Sequence, residues 1–211
     1  MERAYSPMEI FKMQRPVLEF EGEWQEAFGQ PDKTGTWIIW GNSGNGKSSF
    51  VMKLAKELCK HFNKVAYDSL EEGTSLSFQK NMQRAGMDEV NGKFIVLDCE
   101  PVADLIERLK KKKSPECVII DSFQYSGLSY ITYRELKEMF RNKLLIFISH
   151  ADGKLPGGRP AKAVMYDAGV KIYVEGYRAY CKGRYIEKPN AFYTIWEEGA
   201  SSYWGEKENK K

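Results

Sequence analysis

The sequence predicts an α/β domain with a mostly parallel sheet flanked by helices and with antiparallel strands at its C-terminal end. Three observations lead to this prediction. Short apolar runs alternate with helical patterns as far as Gly169, as expected for strands that are covered on both faces of a parallel sheet. Three more strand-like runs then follow without helices between them. The first apolar run also leads directly into a glycine-rich turn and an amphipathic helix.

The individual elements follow from these patterns. The parallel strands are predicted at residues 36–40, 64–68, 94–97, 117–120 and 144–148, and the antiparallel strands at 170–174, 178–182 and 192–196. Apolar side chains at helical spacing predict helices over 51–62 and 102–109, and weaker patterns predict helices at 21–28, 75–84 and 133–141. We therefore expect a lead-in over residues 1–33, one core over 34–204 and a flexible charged tail over 205–211.

The bulk composition fits one intracellular domain. The chain has 211 residues, a hydrophobic fraction of 42% and a net charge of +3, which permits a polyanionic partner without requiring one. Its four cysteines form no Cys-x-x-Cys pair, and with two histidines they offer no zinc-ligand spacing. The N-terminus lacks the apolar core of a signal peptide, and the longest apolar run, 144–148, is too short to span a membrane. We expect a cytoplasmic protein with free thiols and no membrane partner.

The glycine-rich turn matches the phosphate-binding pattern G-x-x-x-x-G-K-[ST] at all four fixed positions, which are Gly41, Gly46, Lys47 and Ser48. Glycines let the backbone N–H groups turn inward as a nest for anions, and the helix that follows adds the positive end of its dipole. The lysine would contact the β- and γ-phosphates of ATP, and the serine hydroxyl would bind Mg²⁺. The predicted nucleotide-binding residues are Gly41, Asn42, Ser43, Gly44, Asn45, Gly46, Lys47, Ser48 and Ser49.

A carboxylate on the Mg²⁺ side should end another buried strand, and there are three candidates, Asp68, Asp98 and Asp121. Asp121 is favoured because it follows the cleanest apolar run, and Asp98 is its rival. Hydrolysis also needs a group that orients or deprotonates water. Glu71 and Glu72 follow the second predicted strand, at the sheet edge where the carboxyl ends of parallel strands meet.

Together these residues resemble the RecA-like ATPase core, especially its RadA/Sms and DnaB-type branches. The segment Asp68-Ser-Leu-Glu71-Glu72 resembles the place where those families carry the catalytic glutamate. The DnaB-type pattern points to Glu71, and the RadA-type pattern leaves Glu72 open. The run 118–122 resembles the Walker B segment, in which Asp121 is the metal-side carboxylate. His150, at the end of the run 147–150, resembles the strand-end polar residue that senses the γ-phosphate.

The resemblance extends towards the C-terminus. Residues 157–174 resemble the RadA-type segment that runs from the DNA-facing loop into a helix and a strand. Lys182 and Arg184 resemble the Lys-x-Arg pair that DnaB-type subunits insert into the ATP site of a neighbour, which implies a homo-oligomer, either a ring or a filament. We expect an ATPase core without the accessory domains of either branch. It is similar in this to the core-only recombinase ATPases of phages and mobile elements, which implies a single-strand annealing or replication protein as a partner.

A DNA-binding role follows mainly from this resemblance. Residues 151–161 read as a flexible loop that would face DNA, and the expected contacts come from Lys154, Arg159 and Lys162. Three aromatic residues after the Walker B segment, Phe123, Tyr125 and Tyr130, either stack on bases or pack within their own loop.

The leading hypothesis is therefore an oligomeric ATPase that acts on DNA in recombination or replication, with single-stranded DNA as the expected form. One alternative is a small-molecule kinase, in which the basic glycine-rich loop would close as a lid over a phosphate acceptor. Another is an ATP-dependent helicase loader or scaffold that hydrolyses little ATP. The glutamates after the second strand and the C-terminal antiparallel strands favour the leading hypothesis over the kinase.

Overall fold

The computed structural model describes residues 3–186 and 188–208, which form eight α-helices and nine strands within those ranges. The strands are β1 (Gly35–Gly41), β2 (Val65–Ser69), β3 (Phe94–Asp98), β4 (Cys117–Asp121), β5 (Leu144–Asp152), β6 (Leu155–Pro156), β7 (Val170–Glu175), β8 (Arg178–Gly183) and β9 (Phe192–Thr194). The helices are α1 (Pro7–Phe11), α2 (Gly22–Phe28), α3 (Lys47–His61), α4 (Leu76–Ala85), α5 (Val102–Lys110), α6 (Tyr130–Met139), α7 (Arg159–Asp167) and α8 (Glu197–Glu208). A 3₁₀ helix spans Met87–Val90.

The sheet confirms the predicted fold class. Its strand order is β3-β2-β4-β5-β1-β7-β8-β9, with β6 paired to β5 alone. The five predicted parallel strands are parallel, and β7 to β9 extend the β1 side as an antiparallel meander. Strand β1 lies between β5 and β7, so the turn that follows it leaves the middle of the sheet. The carboxyl ends of β1, β2, β4 and β5 lie along one edge, where ligands of open α/β sheets bind.

Both faces of the sheet are covered, as the nearly continuous apolar strands require. Residues alternate between faces along β1, so that Trp37 and Ile39 contact the cluster that contains α3, while Ile38 and Trp40 contact the cluster that contains α5, α6 and α7. Helix α3 buries its predicted apolar face on the first side, with Leu54 fully inaccessible. This packing fixes the N-terminus of α3 directly beyond the end of β1.

The segment before β1 packs into the same core. Leu18, Phe20 and Phe28 are almost completely buried, and the ring of Phe28 stacks on Trp37 at 5.8 Å between centroids. The helix predicted at 21–28 is present as α2, and Val17 pairs with Asp32 in an isolated bridge. The part of the predicted lead-in from Val17 onward is therefore a component of the core.

Two C-terminal expectations differ from the structure. Strand β9 ends at Thr194, two residues before the end that the pattern predicts, because α8 begins at Glu197. Residues 205–208, expected to start a flexible tail, continue α8. Residues 209–211 of that predicted tail lie outside the described residues.

The loop predicted at 151–161 is largely regular structure. Strand β5 continues through His150 to Asp152, turns at Gly153 and pairs with β6 as a short hairpin. Gly158 then precedes α7, which begins at Arg159 with Pro160 in its first turn, where proline fits well. The flexible loop of the sequence interpretation is thus a hairpin followed by the start of a helix. Within the described ranges, every helix is too short or too polar to cross a bilayer.

Candidate nucleotide-binding site

The phosphate loop, residues 41–48, joins the end of β1 to the start of α3. Gly44 and Gly46 have φ values of +78° and +92°, which L side chains rarely adopt. A Cβ atom on Gly41 would lie 2.4 Å from the carbonyl oxygen of Val174 on β7, so this glycine also lets two strands approach each other. The backbone N–H groups of the first turn of α3 remain available to an anion.

Asn45 holds this loop against the turn between β7 and β8. Its side-chain oxygen accepts a hydrogen bond from Gly176 N at 2.8 Å, and its backbone oxygen accepts one from Tyr177 N at 3.2 Å. Its amide nitrogen also donates to the carbonyl oxygens of Asn42 and Ser43. The loop is therefore pre-shaped from within and anchored from the C-terminal strands.

Lys47 and Asp121 place opposite charges at the same edge of the sheet. The Lys47 ammonium donates to the carbonyl oxygen of Ser149 at 3.3 Å. Burial lowers the pKa of Lys47, and the carboxylates of Asp121 and Glu71 oppose that shift. Burial likewise raises the pKa of Asp121, against a hydrogen bond from the Tyr67 hydroxyl and the charge of Lys47. A phosphate chain and a divalent cation would compensate both desolvated charges.

The other two candidate metal carboxylates lie elsewhere. Asp98, on the edge strand β3, accepts hydrogen bonds from the backbone and hydroxyl of Thr74 and thus holds a loop. Asp68 is fully buried at the end of β2, and its Oδ1 accepts from Glu100 N at 3.1 Å. Only Asp121 of the three lines the cavity at the phosphate loop.

The two glutamates after β2 point in different directions. Glu71 Oε2 lies 3.0 Å from Nε2 of His150 on β5. Glu72 Oε2 instead accepts hydrogen bonds from Ser77 Oγ at 2.8 Å and Ser75 Oγ at 3.4 Å, at the N-terminus of α4. The backbone N–H of Glu71 donates to the carbonyl oxygen of Asp121, which fixes this turn beside β4.

These groups surround one cavity of about 260 Å³. Its lining is Asn42, Ser43, Gly44, Gly46, Lys47, Ser48, Ser49, Val51, Glu71, Glu72, Asp121, Ile148 and His150. Of the predicted phosphate-loop residues, Gly41 and Asn45 support the loop from behind. The Ser48 hydroxyl and the Asp121 carboxylate are hard oxygen donors of the kind that Mg²⁺ prefers, so the side chains present fit this ion.

A second cavity, of about 240 Å³, adjoins the first through Gly46 and Ser49. Its walls come from α3, α4 and the C-terminal segment, and include Lys53, Asn81, Arg84, Ala85, Tyr177, Ile195 and Trp196. The rings of Tyr177 and Trp196 meet edge to face at 5.0 Å. Lys53 donates to the carbonyl oxygen of Ile195 at 2.7 Å, which ties α3 to this wall.

Two further predicted groups do not line the phosphate cavity. Lys182 on β8 is exposed and lines a separate cavity of about 280 Å³ with Lys154, Lys171, Tyr173 and other residues of the β7–β8 face. Arg184 follows β8 directly and is exposed. Within one chain, neither cation reaches the site formed by the phosphate loop.

The predicted nucleic-acid residues are divided among different environments. Lys154 lies exposed in the β5–β6 turn, and Arg159 is exposed at the start of α7. Lys162 instead forms an ion pair with Asp152 at 3.0 Å. Phe123, suggested as a stacking surface, is only 4% exposed because it packs edge to face on Phe147 in the core. Tyr125 and Tyr130 are exposed.

Three residues that contact members of the site were missed from the sequence. Tyr67 hydrogen-bonds Asp121, Tyr177 closes over Gly46, and the Gln124 side chain hydrogen-bonds Ser149 and His150. Tyr67 and Gln124 stand close to the recognised carboxylates in sequence, so their position was a usable signal. Tyr177 is remote in sequence and carries no local signal.

Comparison with known proteins agrees with this geometry. The model of the family described as RNA helicase matches residues 37–142, half of the chain. The chain belongs to this family. The flagellar accessory protein FlaH from Methanocaldococcus jannaschii superposes with a TM-score of 0.59 at 16% identity, over 85% of this chain and 93% of FlaH. A second solved structure, described as an ATPase domain, gives a TM-score of 0.54 at 17% identity, over 76% of this chain and 80% of that domain.

These matches support the resemblance to the RecA-like ATPase core that the sequence predicted. The fold is that of the RecA-like P-loop ATPases. None of the curated protein sequences is significantly similar to it.

Proposed function

We propose that this RNA-helicase-family member binds ATP with Mg²⁺ and hydrolyses it as a homo-oligomer acting on single-stranded DNA in recombination or replication. The observation that carries the proposal is the convergence of Lys47, Asp121, Glu71 and His150 on one cavity beneath the phosphate loop. This set supplies a phosphate-binding cation, a metal-side carboxylate and a water-orienting pair.

The roles follow from the contacts. Lys47 would exchange its hydrogen bond to the Ser149 carbonyl for the β- and γ-phosphates. Ser48 and Asp121 would hold Mg²⁺, which neutralises the charge that develops on the phosphate oxygens. Tyr67 holds the Asp121 carboxylate in place by its hydroxyl.

Glu71 is the better candidate for orienting the attacking water. Its carboxylate faces His150 across the phosphate cavity, whereas the carboxylate of Glu72 is occupied by Ser75 and Ser77. Both serine hydroxyls donate to the same Glu72 oxygen, so a water molecule that approached this oxygen would compete with them.

The second cavity has the properties of a base-binding site. It adjoins the phosphate cavity at Gly46 and Ser49, and aromatic and apolar side chains form much of its wall. A purine ring in contact with Tyr177 and Trp196 would bury its apolar faces, while Asn81 and Arg84 lie in the same wall to meet polar atoms.

An oligomer would account for Lys182 and Arg184. Both are exposed cations outside their own phosphate cavity, so they could act on ATP only in another subunit. A shared site of this kind makes hydrolysis dependent on assembly.

DNA would bind beside the β5–β6 hairpin. Among the described residues no carboxylate lies within ion-pair distance of Lys154 or Arg159, so both cations are available to backbone phosphates. The chain's family is described as RNA helicase, so RNA is the natural competitor for this surface.

The test measures ATP hydrolysis at several protein concentrations, with no nucleic acid, with single-stranded DNA and with single-stranded RNA. We expect DNA to stimulate the rate and specific activity to rise with protein concentration. Lys47→Ala should abolish hydrolysis. Glu71→Gln should reduce kcat at least about 100-fold, as loss of a positioned general base does, whereas the matched Glu72→Gln should reduce it much less.

Mixing two variants, each of which we expect to hydrolyse ATP poorly alone, tests the shared site. Glu71→Gln lacks the water-orienting carboxylate and Arg184→Ala lacks the cation offered to a neighbour, so mixed oligomers contain some sites with both groups intact. Recovered activity on mixing supports the oligomer, and no recovery contradicts it. If only RNA stimulates hydrolysis, the protein acts on RNA and not on DNA.

Other outcomes point to the alternatives. Tight ATP binding with no measurable turnover under any condition would favour the scaffold or loader. ATP consumption only in the presence of a small phosphate acceptor, by a monomer, would favour the kinase.

A further inference from the structure

The side chain of Gln124 connects three separate segments behind the phosphate cavity. It lies three residues after Asp121. Its amide nitrogen donates to Ser149 Oγ at 2.8 Å and to the carbonyl oxygen of Gly157 at 2.9 Å. Its amide oxygen accepts from the backbone N–H of His150 at 3.3 Å. One amide group thus joins the segment after β4 to β5 and to the residue that follows β6.

The segments that Gln124 joins lie at different distances from the phosphate cavity. Ser149 is fully buried, and its carbonyl oxygen is the atom that Lys47 contacts from the phosphate side. Gly157 closes the β5–β6 hairpin, because its N–H donates to the carbonyl oxygen of His150 at 2.8 Å. A shift of the Ser149–His150 backbone therefore acts on Gly157 along two routes, one direct and one through Gln124.

Close packing around Gly157 restricts movement of the hydrogen-bonded group formed by Gln124, His150 and Gly157. A Cβ atom at this position would lie 3.3 Å from Gln124 Nε2 and 3.3 Å from the His150 carbonyl oxygen, closer than most real contacts. The hairpin is also held to the core by the Trp40 indole, which donates to the carbonyl oxygen of Lys154 at 3.1 Å. This second tether comes from β1 and does not involve the groups that line the phosphate cavity.

We propose that Gln124 is a positioning residue that transmits the state of the phosphate cavity to the β5–β6 hairpin and the start of α7. The inference rests on the proposed function, since it requires that the cavity bind ATP. When phosphates draw Lys47 away from the Ser149 carbonyl and alter the contact between Glu71 and His150, the backbone at Ser149 and His150 adjusts. Gln124 carries that adjustment to Gly157, and so to the segment that presents Lys154 and Arg159.

The variant Gln124→Met tests this proposal because methionine keeps the length of the side chain and removes all three hydrogen bonds. Gln83→Met on the exposed face of α4 is the matched control. Gly157→Ala is a second, independent variant, whose added methyl group would crowd the Gln124 amide and the His150 carbonyl oxygen from the hairpin side. The urea unfolding midpoint of each variant shows that it folds.

The measurement is amide hydrogen exchange of the segment 151–158, with Mg²⁺ and either a non-hydrolysable ATP analogue or ADP. Binding of both nucleotides is measured separately with fluorescent derivatives. In the wild-type protein and in Gln83→Met, we expect the exchange rates with the two nucleotides to differ at least about 5-fold, the lower range of usual coupling between sites. In Gln124→Met the direct hydrogen bond from Gly157 N to His150 O remains, so the difference should fall to about 2- to 3-fold while analogue affinity stays within about 3-fold. Gly157→Ala should also reduce the difference.

The outcomes distinguish the proposed role of Gln124, here called the relay, from the proposed function of the protein. If Gln124→Met keeps the full difference between nucleotides, Gln124 has a structural role only and the proposal is overturned. If the wild-type protein binds the analogue but shows no difference in exchange, the relay is overturned while ATP binding stands. If the wild-type protein binds neither nucleotide, both the proposed function and the relay fail.

Discussion

Replacement of Asp68 by Asn should change the pH dependence of stability without removing catalysis. The Asp68 side chain is fully buried, and among the described residues its Oδ2 atom has no hydrogen-bond partner. Burial raises its pKa from 3.8 to about 7, helped by the nearby Glu100 carboxylate and opposed by the Glu100 N–H and by Arg108. The protonated form is therefore preferred in the folded chain well above the pH at which the unfolded chain loses this proton.

The direction in which folding stability changes with pH follows from proton binding at Asp68. Between pH 4 and pH 7 the folded protein holds a proton at Asp68 that the unfolded chain has released, so the stabilisation is complete at low pH and is lost as pH rises through about 7. One proton corresponds to at most about 1.4 kcal/mol per pH unit. Solvent near the partly exposed Arg108 screens the site, so we expect about 1 kcal/mol per pH unit or less.

The assay is urea unfolding of the wild-type protein and Asp68→Asn at pH 5, 6, 7 and 8. Asparagine keeps the oxygen that accepts from Glu100 N and does not titrate, so the variant should gain stability relative to wild type as pH rises and then level off above pH 7. Other titrating groups are common to both proteins and cancel in the difference. Parallel pH profiles would refute the reasoning about Asp68.

The same variant separates the two buried aspartates by function. Asp68 lies outside the phosphate cavity, so Asp68→Asn should retain Mg²⁺-dependent hydrolysis within about 3-fold, while Asp121→Asn should lose it at least about 100-fold. A comparable loss in both variants would show that Asp68 takes part in the site.

Two further predictions concern residues that support the site. Tyr67→Phe removes the hydrogen bond that lowers the pKa of Asp121, so the acidic limb of the ATPase pH profile should move to higher pH. Half-saturation by Mg²⁺ should also need about 10-fold more ion. An unchanged pH profile would count against this role of Tyr67. Tyr177→Ala removes one wall of the second cavity. Steady-state kinetics should therefore show the KM for ATP raised about 5- to 50-fold with little change in kcat. A fall in kcat alone would contradict a base-binding role for Tyr177.

The sequence predicted the parallel strands well because each is a buried apolar run that needs no information from distant residues. It missed structure that depends on long-range packing. Phe20 and Phe28 precede the first strand in a polar segment, and only their contact with Trp37 and neighbouring rings shows that they belong to the core. Strand β5 could not be followed past His150, because its last residues pair with β6 outside the apolar core.

The site shows the same division between local and distant information. The phosphate loop was readable because its glycines, lysine and serine are consecutive in the chain. The choice among the three aspartates depends on strand register, which brings Ser69 of β2 opposite Asp121 of β4. Side chains alternate along β2, so once Tyr67 faces Asp121, Asp68 must point to the opposite face, towards α5.

The pair Glu71 and Glu72 shows how local contacts can distinguish two residues that a resemblance leaves open. The DnaB-type and RadA-type patterns favour different members of the pair, and adjacent carboxylates cannot be distinguished by spacing. Ser75 and Ser77, however, are within reach of Glu72 at the first turn of α4, and hydroxyl groups at a helix N-terminus attract a carboxylate. Glu71 is left to face His150, where its hydrogen bond continues through the His150 backbone to Gln124. The proposed role of Glu71 therefore depends on the side chain of His150, and the proposed role of Gln124 depends on its backbone.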